Sequence, residues 1–307
     1  MKKLLAVVGP TGSGKSDLAL AIAERLQGEI VSADSRQVFR FLDIGTSKPS
    51  PEDRKKAPHH FIDFLEPEEE YSAGAFGHDA RAKIIEIAQK EKQAILVGGS
   101  GLYVRAVVDG LFNGPGRDPE LRAEMEARLQ NVGARSLFDA LQKVDPEIAA
   151  TMDPGKPRRI IRALEVYYST GKPLSEFHKE QSGEAPFKTI QYALAWGRSE
   201  LYARIETRVD AMLRQGLVEE VRWLQNNGYD HNLNALNSVG YKEVFDFLAG
   251  KTDYEQMVNL VKRNTRRFAK RQLTWFRADK RIHWLGVDES TSFESLADLV
   301  IEESQEK

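Results

Sequence analysis

Cysteine is absent from the sequence of 307 residues. Its absence excludes disulfide bonds, thiolate metal sites and a cysteine nucleophile. Long apolar runs are absent too: no segment approaches the roughly 18 residues that predict a membrane span, and a strand-like segment begins too early for a secretory signal. We therefore expect a cytoplasmic protein that does not associate with membranes.

A general excess of positive charge is also missing, since the formal net charge is −2. The chain as a whole is therefore not expected to bind nucleic acid through overall charge. The charge distribution is uneven, however, because the segment from Lys262 to Arg281 carries nine basic residues and one acidic residue, Asp279. This segment predicts a local surface for phosphate groups.

A phosphate-binding loop is predicted near the start of the chain, where residues 9–16 match the pattern G-x-x-x-x-G-K-[ST]. A strand-like apolar run precedes the loop and a helical pattern follows it. The loop N–H groups, the helix N-terminus and Lys15 would bind a diphosphate or triphosphate, and the Ser16 hydroxyl could hold Mg²⁺. The predicted binding residues are Gly9, Pro10, Thr11, Gly12, Ser13, Gly14, Lys15 and Ser16.

Strand-like and helix-like patterns alternate through much of the chain. The predicted strands are 3–8, 29–32, 61–64, 94–97 and 189–196, and the predicted helices that alternate with or follow them are 15–27, 73–90, 199–228 and 254–276. This alternation is typical of a parallel sheet with helices on both faces. We therefore predict an α/β fold with a P-loop NTPase-like sheet.

A helical insertion is predicted in the middle of the chain. Segments rich in glycine and proline, 113–119 and 171–186, flank a charged stretch with predicted helices at 120–130, 136–143 and 157–169. We assign residues 113–186 to this insertion domain. Residues 1–112 and 187–307 would then form the α/β core with a basic C-terminal helix.

Three turns are predicted to share one cleft, because ligands gather at the carboxyl ends of parallel strands. They are the phosphate loop, residues 34–37 and residues 98–103. Asp34 closes the second strand, so its carboxylate could bind Mg²⁺, accept a proton from a nucleophile or simply cap a turn. Gly98 and Gly99 stand where a nucleotide hydrolase usually has an acidic residue. Glycines at these positions would allow another group to come close to the backbone. That group could be a substrate in a tunnel, or a neighbouring segment of the protein in tight packing.

The basic segment is predicted to be a helix with two faces. One face would carry Arg263, Arg266, Arg267, Lys270 and Arg277, and the other, more apolar face would carry Val261, Thr265, Phe268, Gln272 and Trp275. Since the segment has few acidic partners, we favour binding of RNA or DNA over a solvated charged face. A smaller basic cluster, Arg158, Arg159 and Arg162, lies in the insertion.

These motifs together resemble the tRNA dimethylallyltransferase (tRNA isopentenyltransferase) family over nearly the whole chain. The similarity rests on segments 9–16, 32–35, 43–49, 71–72, 97–103, 162–166, 239–241 and 270–277. The resemblance implies transfer of a dimethylallyl group from dimethylallyl diphosphate to N6 of the adenosine 3′-adjacent to the anticodon in tRNA, with diphosphate leaving. The resemblance is to the bacterial type of the family, because the zinc finger of some eukaryotic members needs cysteines, which this sequence lacks.

The resemblance also implies roles for individual residues. Asp34 matches the general base, Lys15 and Arg208 would act on the leaving diphosphate, and Ser16 would hold Mg²⁺ as the cofactor. Ser100 stands where the family often has threonine, so a hydroxyl is kept. We expect a monomer that binds the tRNA anticodon stem-loop through Asp34, Ser35, Arg36, Gln37, Ser100, Tyr103, Arg122, Arg158, Arg159, Arg162, Asn237, Gly240, Lys242, Lys270, Arg271, Gln272, Trp275 and Arg277.

Other functions compatible with the phosphate loop stay open. A small-molecule kinase is disfavoured by glycines at the usual acidic position. An enzyme that prenylates free AMP or ADP would leave the basic helix and the insertion without a purpose. An RNA-binding module gated by a nucleotide, without catalysis, would not need Asp34 and Arg208 in one cleft.

Overall fold

A parallel sheet forms the centre of the larger part of the chain. The computed structural model describes residues 3–111, 114–116, 118–179 and 185–306. The strands in this part of the chain are β1 (Leu4–Val8), β2 (Glu29–Ser32), β3 (His59–His60), β4 (Ala94–Gly98), β5 (Thr189–Ala195) and β6 (Ile282–Gly286). They form one six-stranded sheet in the order β3-β2-β4-β1-β5-β6, with every neighbouring pair parallel. The predicted α/β class is confirmed.

Helices cover both faces of the sheet. The helices of the described ranges are α1 (Lys15–Leu26), α2 (Pro51–Lys56), α3 (Ala73–Gln89), α4 (Gly101–Val108), α5 (Pro119–Val144), α6 (Pro146–Ala150), α7 (Pro157–Thr170), α8 (Leu174–Lys179), α9 (Arg198–Gln215), α10 (Leu217–Asn226), α11 (Tyr241–Leu248), α12 (Tyr254–Arg277) and α13 (Phe293–Glu306). Helices α5 to α8 belong to the insertion, and the helices that cover the sheet come from the rest of the chain. No helix within the described ranges is both long and apolar enough to cross a membrane.

The central strand shows why this sequence forms a two-sided sheet. Every residue of β1 is buried, which explains its unbroken apolar run. Alternate side chains point to opposite faces: Ala6 packs with Phe76 of α3, whereas Val7 packs with Ile22 of α1 and Val300 of α13. Strand β1, which the phosphate loop follows, therefore lies between two buried layers.

Two predicted elements are wrong for local backbone reasons. The strand predicted at 61–64 lies instead at His59–His60, because Phe61 and Asp63 take left-handed backbone conformations with φ of 65° and 57° that end the extended segment. The single helix predicted from 199 to 228 is two helices, α9 and α10. Gly216 separates them with φ of 103°, a conformation that favours glycine.

The insertion contains its predicted break between two helices. The helices predicted at 120–130 and 136–143 both lie within α5, and non-helical backbone at Gly133, where φ is 78° and ψ is 168°, separates them. Strand β6 and helix α13 have no counterpart among the predicted elements.

The described residues divide into two compact units, Met1–Val108 with Ala185–Lys307 and Asp109–Glu184. The predicted domain boundary at 112–113 lies outside the described residues, as do residues 180–184 of the second predicted junction. The helical unit has its own core, which includes Leu137, Leu141 and Ile160.

Candidate active site

The phosphate loop has the shape that its glycines allow. Gly12 and Gly14 take φ of 79° and 87°, values that other residues rarely adopt. The neighbours leave no room for side chains either: a Cβ on Gly12 would lie 2.8 Å from Ile205, and one on Gly14 would lie 2.4 Å from the Phe293 ring. The loop is therefore packed between α9 and α13.

Two side chains hold the loop through its carbonyl groups. Trp196 Nε1 donates a hydrogen bond to the Ser13 carbonyl at 2.8 Å, and Arg204 Nε donates one to the Gly12 carbonyl at 3.0 Å. The guanidinium of Arg204 also lies 4.3 Å from the centre of the Trp196 ring, in a cation–π contact. These contacts satisfy loop carbonyls from outside, so the loop is organised before a ligand binds.

A cavity of about 520 Å³ opens beside this loop. Its lining includes Thr11, Asp34 and Ser100, one from each of the three turns that were predicted to share a cleft. That prediction is confirmed. Because all three turns follow strands of the parallel sheet, their meeting at one edge follows from the strand order.

The cavity lining combines positive charge with apolar surface. The basic lining residues are Lys15, Arg36, Arg208, Lys242, Arg267 and Arg271. The apolar ones include Ile30, Val97, Val209, Met212, Val239, Val261 and Phe268. Such a lining suits a ligand that has an anionic head and an apolar body.

Lys15 and Arg208 form the cationic centre of the cavity. Burial and, second to it, the positive charge of Arg208 lower the pKa of Lys15 to about 8, although the charges of Asp34 and Asp17 act in the opposite direction. Burial also lowers the pKa of Arg208. Among the residues that the structure describes, neither side chain forms a salt bridge. Two partly buried cations without a carboxylate partner make a site for an anion.

Asp34 is placed to act on a bound ligand. Its Oδ1 accepts a hydrogen bond from the Arg36 N–H at 2.9 Å, so the turn-capping contact is present. No described group donates to its second oxygen. Glu243, the other carboxylate in the described lining, accepts bonds from Gly240 N–H and Asn264 Nδ2 at 2.8 and 2.7 Å. Asp34 is therefore the lining carboxylate with a free oxygen.

The glycines after β4 admit close contacts from the protein itself. A Cβ on Gly98 would lie 2.1 Å from the Ala33 carbonyl oxygen. A Cβ on Gly99 would lie 2.4 Å from Gln272, and one on Gly101 would lie 2.2 Å from Trp275. Tight packing, the second of the two predicted explanations, therefore accounts for these glycines. Helix α12 packs against this turn through Gln272 and Trp275.

The faces of α12 differ from the prediction. Val261 and Gln272 are buried as expected, but Phe268 and Trp275 are 38% and 40% exposed. The buried stripe consists of Met257, Val261, Ala269, Gln272 and Phe276. The difference arises because α12 packs against both the turn after β4 and helix α9, and a helical wheel cannot show which neighbours a face meets.

Two basic residues of α12 have acidic partners on α9. Lys262 pairs with Asp210 at 2.7 Å and Arg266 pairs with Glu206 at 2.5 Å. The expectation that this helix has few acidic partners is therefore wrong for these residues, because the partners are distant in sequence. Arg267 and Arg271 line the cavity instead, and Lys270 and Arg277 are exposed.

The residues predicted to contact tRNA lie in different environments. Those in the cavity lining are Asp34, Ser35, Arg36, Gln37, Ser100, Asn237, Gly240, Lys242, Arg271 and Gln272. Tyr103 is 6% exposed, its ring stacks on Phe76 with centroids 4.3 Å apart, and its hydroxyl donates to the Tyr71 carbonyl. Its position is that of a core residue.

The arginines predicted in the helical unit fall into two groups. Arg158 and Arg159 are exposed. Arg122 and Arg162 instead face the fully buried carboxylate of Glu165, with nitrogen–oxygen distances of 3.7 and 3.1 Å. Glu165 also accepts the Asp118 N–H at 2.9 Å. Arg122 and Arg162 therefore have a structural role inside this unit.

Sequence patterns missed several residues of the cavity lining. Val209 and Met212 lie in the predicted 199–228 helix but were not predicted to line a site, and His59 lies where no strand was predicted. Burial lowers the pKa of His59, so its neutral form is favoured. Phe268 was assigned to the packed face of α12. No local signal distinguishes a side chain that lines a cavity from one that packs in a core.

Comparisons with known proteins identify similar sequences. A model of the IPP transferase family matches residues 37–279. The chain is 49% identical over 284 residues to the protein named tRNA dimethylallyltransferase 1 from Citrifermentans bemidjiense, which covers 92% of each chain. It is 45% identical over 300 residues to the tRNA dimethylallyltransferase of Geobacter sulfurreducens, which covers 97% of this chain and 96% of that protein.

Solved structures are similar over the same extent. The full-length tRNA isopentenylpyrophosphate transferase from Bacillus halodurans matches with a TM-score of 0.73 and 38% identity, covering 100% of this chain and 98% of that one. A eukaryotic dimethylallyltransferase, described as acting on tRNA, matches with a TM-score of 0.82 and 28% identity, covering 97% of this chain and 77% of that one.

We predict that binding of a diphosphate anion weakens as the pH rises through about 8, the pKa of Lys15. A bound anion favours the charged lysine, so affinity should fall by up to about tenfold per pH unit above that pKa. Calorimetry with methyl diphosphate would measure the effect, because the last ionisation of a phosphate monoester, near pH 6, is then complete. Lys15→Arg keeps its charge throughout and should flatten the profile. An unchanged wild-type affinity from pH 7 to about 9.5 would contradict this role.

Proposed function

The chain belongs to the IPP transferase family, and we propose that it transfers a dimethylallyl group from dimethylallyl diphosphate to N6 of the adenosine 3′-adjacent to the anticodon of tRNA. Beyond family membership, one observation carries the proposal. A single cavity combines a phosphate loop, a carboxylate with a free oxygen and an apolar wall. Prenyl transfer to an amine requires a cradle for the leaving group, a proton acceptor and a dry place for the hydrocarbon.

The donor would lie along the cavity with its two ends in different surroundings. The diphosphate would bind the loop amides, Lys15 and Arg208, where cationic charge has no carboxylate partner. The dimethylallyl group would contact apolar lining residues such as Val209 and Met212. Burial of the hydrocarbon keeps water away from C1, the carbon atom that reacts.

The acceptor is an exocyclic amine, which is a weak nucleophile because its lone pair is delocalised into the purine ring. As the bond between N6 and C1 forms, the C1–oxygen bond breaks and diphosphate leaves with the electron pair. The free oxygen of Asp34 accepts the N6 proton as general base. The adenosine must leave its stack to reach the cavity, which costs a few kcal/mol that contacts with the RNA backbone offset.

Charge builds up on the leaving diphosphate. Lys15, Arg208 and the loop amides would stabilise that charge, and the bonds from Trp196 and Arg204 fix the loop before the reaction begins. The phosphate loop thus binds the diphosphate that leaves, and no phosphoryl group is transferred.

Mg²⁺ is the proposed cofactor. The Ser16 hydroxyl lines the cavity and has no hydrogen-bond partner among the described residues. The described part of the chain has no cluster of three or more His, Asp or Glu side chains suited to a metal. Ser16 would therefore hold the ion together with diphosphate oxygens and water, an arrangement common for Mg²⁺. When bound, the ion would neutralise part of the diphosphate charge.

We predict that radiolabel from dimethylallyl diphosphate is transferred to tRNA and not to AMP or ADP when each is incubated with the protein and Mg²⁺. Asp34→Asn should lower kcat at least about 100-fold while tRNA affinity stays within a few fold. The amide oxygen can still accept the Arg36 N–H, so the turn is preserved. Transfer to AMP alone would replace the tRNA assignment, and full turnover by Asp34→Asn would overturn the general-base role.

We also predict which basic residues of α12 contact RNA phosphates. Replacing Arg267 and Lys270 together with alanine should weaken tRNA binding and reduce the slope of log affinity against log salt by about 1 to 2. The control replaces Lys262 and Arg266, which removes the same charge from residues already paired with Asp210 and Glu206. Filter binding between about 50 and 200 mM salt measures both slopes. Equal changes in the two variants would show that general charge, not contact, is responsible.

A further inference from the structure

We propose that Gln272 is a positioning residue of the donor site, which fixes the phosphate loop against the turn after β4. This inference rests on the proposed function for its catalytic consequence, though not for its anion-binding consequence. The family resemblance had implied a contact between Gln272 and tRNA, whereas its side chain is 8% exposed and bonded within the protein.

The Gln272 side chain joins two of the three turns that form the cavity. Its Oε1 accepts the Thr11 N–H at 2.9 Å, and its Nε2 donates to the Gly99 carbonyl at 2.9 Å. The amide supplies one acceptor and one donor on separate atoms, so it can make both bonds at once. A glutamate carboxylate would repel the Gly99 carbonyl oxygen. Asparagine is one methylene shorter and would not reach both partners from the same backbone position.

Gly99 provides a second observation for the same contact. A Cβ at this position would lie 2.4 Å from Gln272 Nε2 and 3.2 Å from the Gly9 carbonyl oxygen. The φ of Gly99 is not in the left-handed region that would by itself require glycine. Glycine is therefore needed at position 99 by the closeness of Gln272 and the phosphate loop.

The Gln272 bond fixes the phosphate loop at Thr11. With the Thr11 N–H bonded to Gln272, the start of the loop is held to α12, while Trp196 and Arg204 hold the carbonyls of Ser13 and Gly12. The loop is thus fixed at three points on three different segments. Loss of the Gln272 bonds would free the side of the loop that faces the turn after β4, and ordering it would then oppose diphosphate binding.

The experiment measures binding of inorganic pyrophosphate with Mg²⁺ by calorimetry in the full chain without tRNA. Gln272→Ala should weaken binding about five- to tenfold, the effect of losing two neutral hydrogen bonds. Gly99→Ala should weaken it similarly, because the new methyl group displaces the Gln272 amide. In the double variant the added methyl group enters space that the amide has left, so the effects should not add. Additive effects, or unchanged binding in Gln272→Ala, would overturn the proposal.

A matched control excludes general destabilisation. Gln191 is a buried glutamine of β5 outside the cavity lining, so Gln191→Ala should leave pyrophosphate affinity within about twofold of wild type. Weakening equal to that of Gln272→Ala would also overturn the proposal.

Steady-state kinetics adds a readout that a merely structural role would not move. The donor KM of Gln272→Ala should rise about five- to tenfold, whereas the tRNA KM should change less than about twofold. A rise in the tRNA KM alone would support an RNA contact and overturn the positioning role. If wild-type protein transfers no label to tRNA, the proposed function fails, while the pyrophosphate measurements still decide the role of Gln272.

Discussion

The site depends on two cations held close together without an acidic partner. Burial lowers the pKa of both Lys15 and Arg208, and the charge of Arg208 adds to the effect on Lys15. Such an arrangement is costly in the free protein and becomes favourable when an anion enters. The charge arrangement of the cavity therefore favours binding of an anion. The cavity around these two cations stays open because the phosphate loop is anchored by the rest of the protein.

That anchoring comes from elements far apart in the chain. Trp196 follows β5, Arg204 belongs to α9 and Phe293 begins α13, yet all three contact the phosphate loop. The parallel sheet makes this possible because its central strand, β1, carries the loop at the edge where the other strands also end. The motif supplies the amides, but the fold supplies their fixed positions.

How much the sequence predicts depends on how local the cause is. The phosphate loop, the alternation of strands and helices and the position of Asp34 follow from short patterns, so the α/β class and the shared cleft were predictable. The environments of Arg266, Gln272 and Arg122 were not. Each is decided by a partner distant in sequence: Glu206, Thr11 with Gly99, and Glu165. Charge and periodicity alone indicate a basic helix without showing which of its residues stay free.

The glycines after β4 connect the fold to the choice of chemistry. A nucleotide hydrolase usually has an acidic residue at this position to bind magnesium, whereas here Gly99 gives its space to Gln272. Glycine in place of an acidic residue leaves no carboxylate at this position. It also allows α12 to pack beside the phosphate loop. Asp34 is then left as the lining carboxylate with an oxygen free of described donors. In the proposed reaction, a loop suited to phosphates would hold the leaving diphosphate, while Arg267 and Arg271 of the neighbouring helix would be available to the RNA.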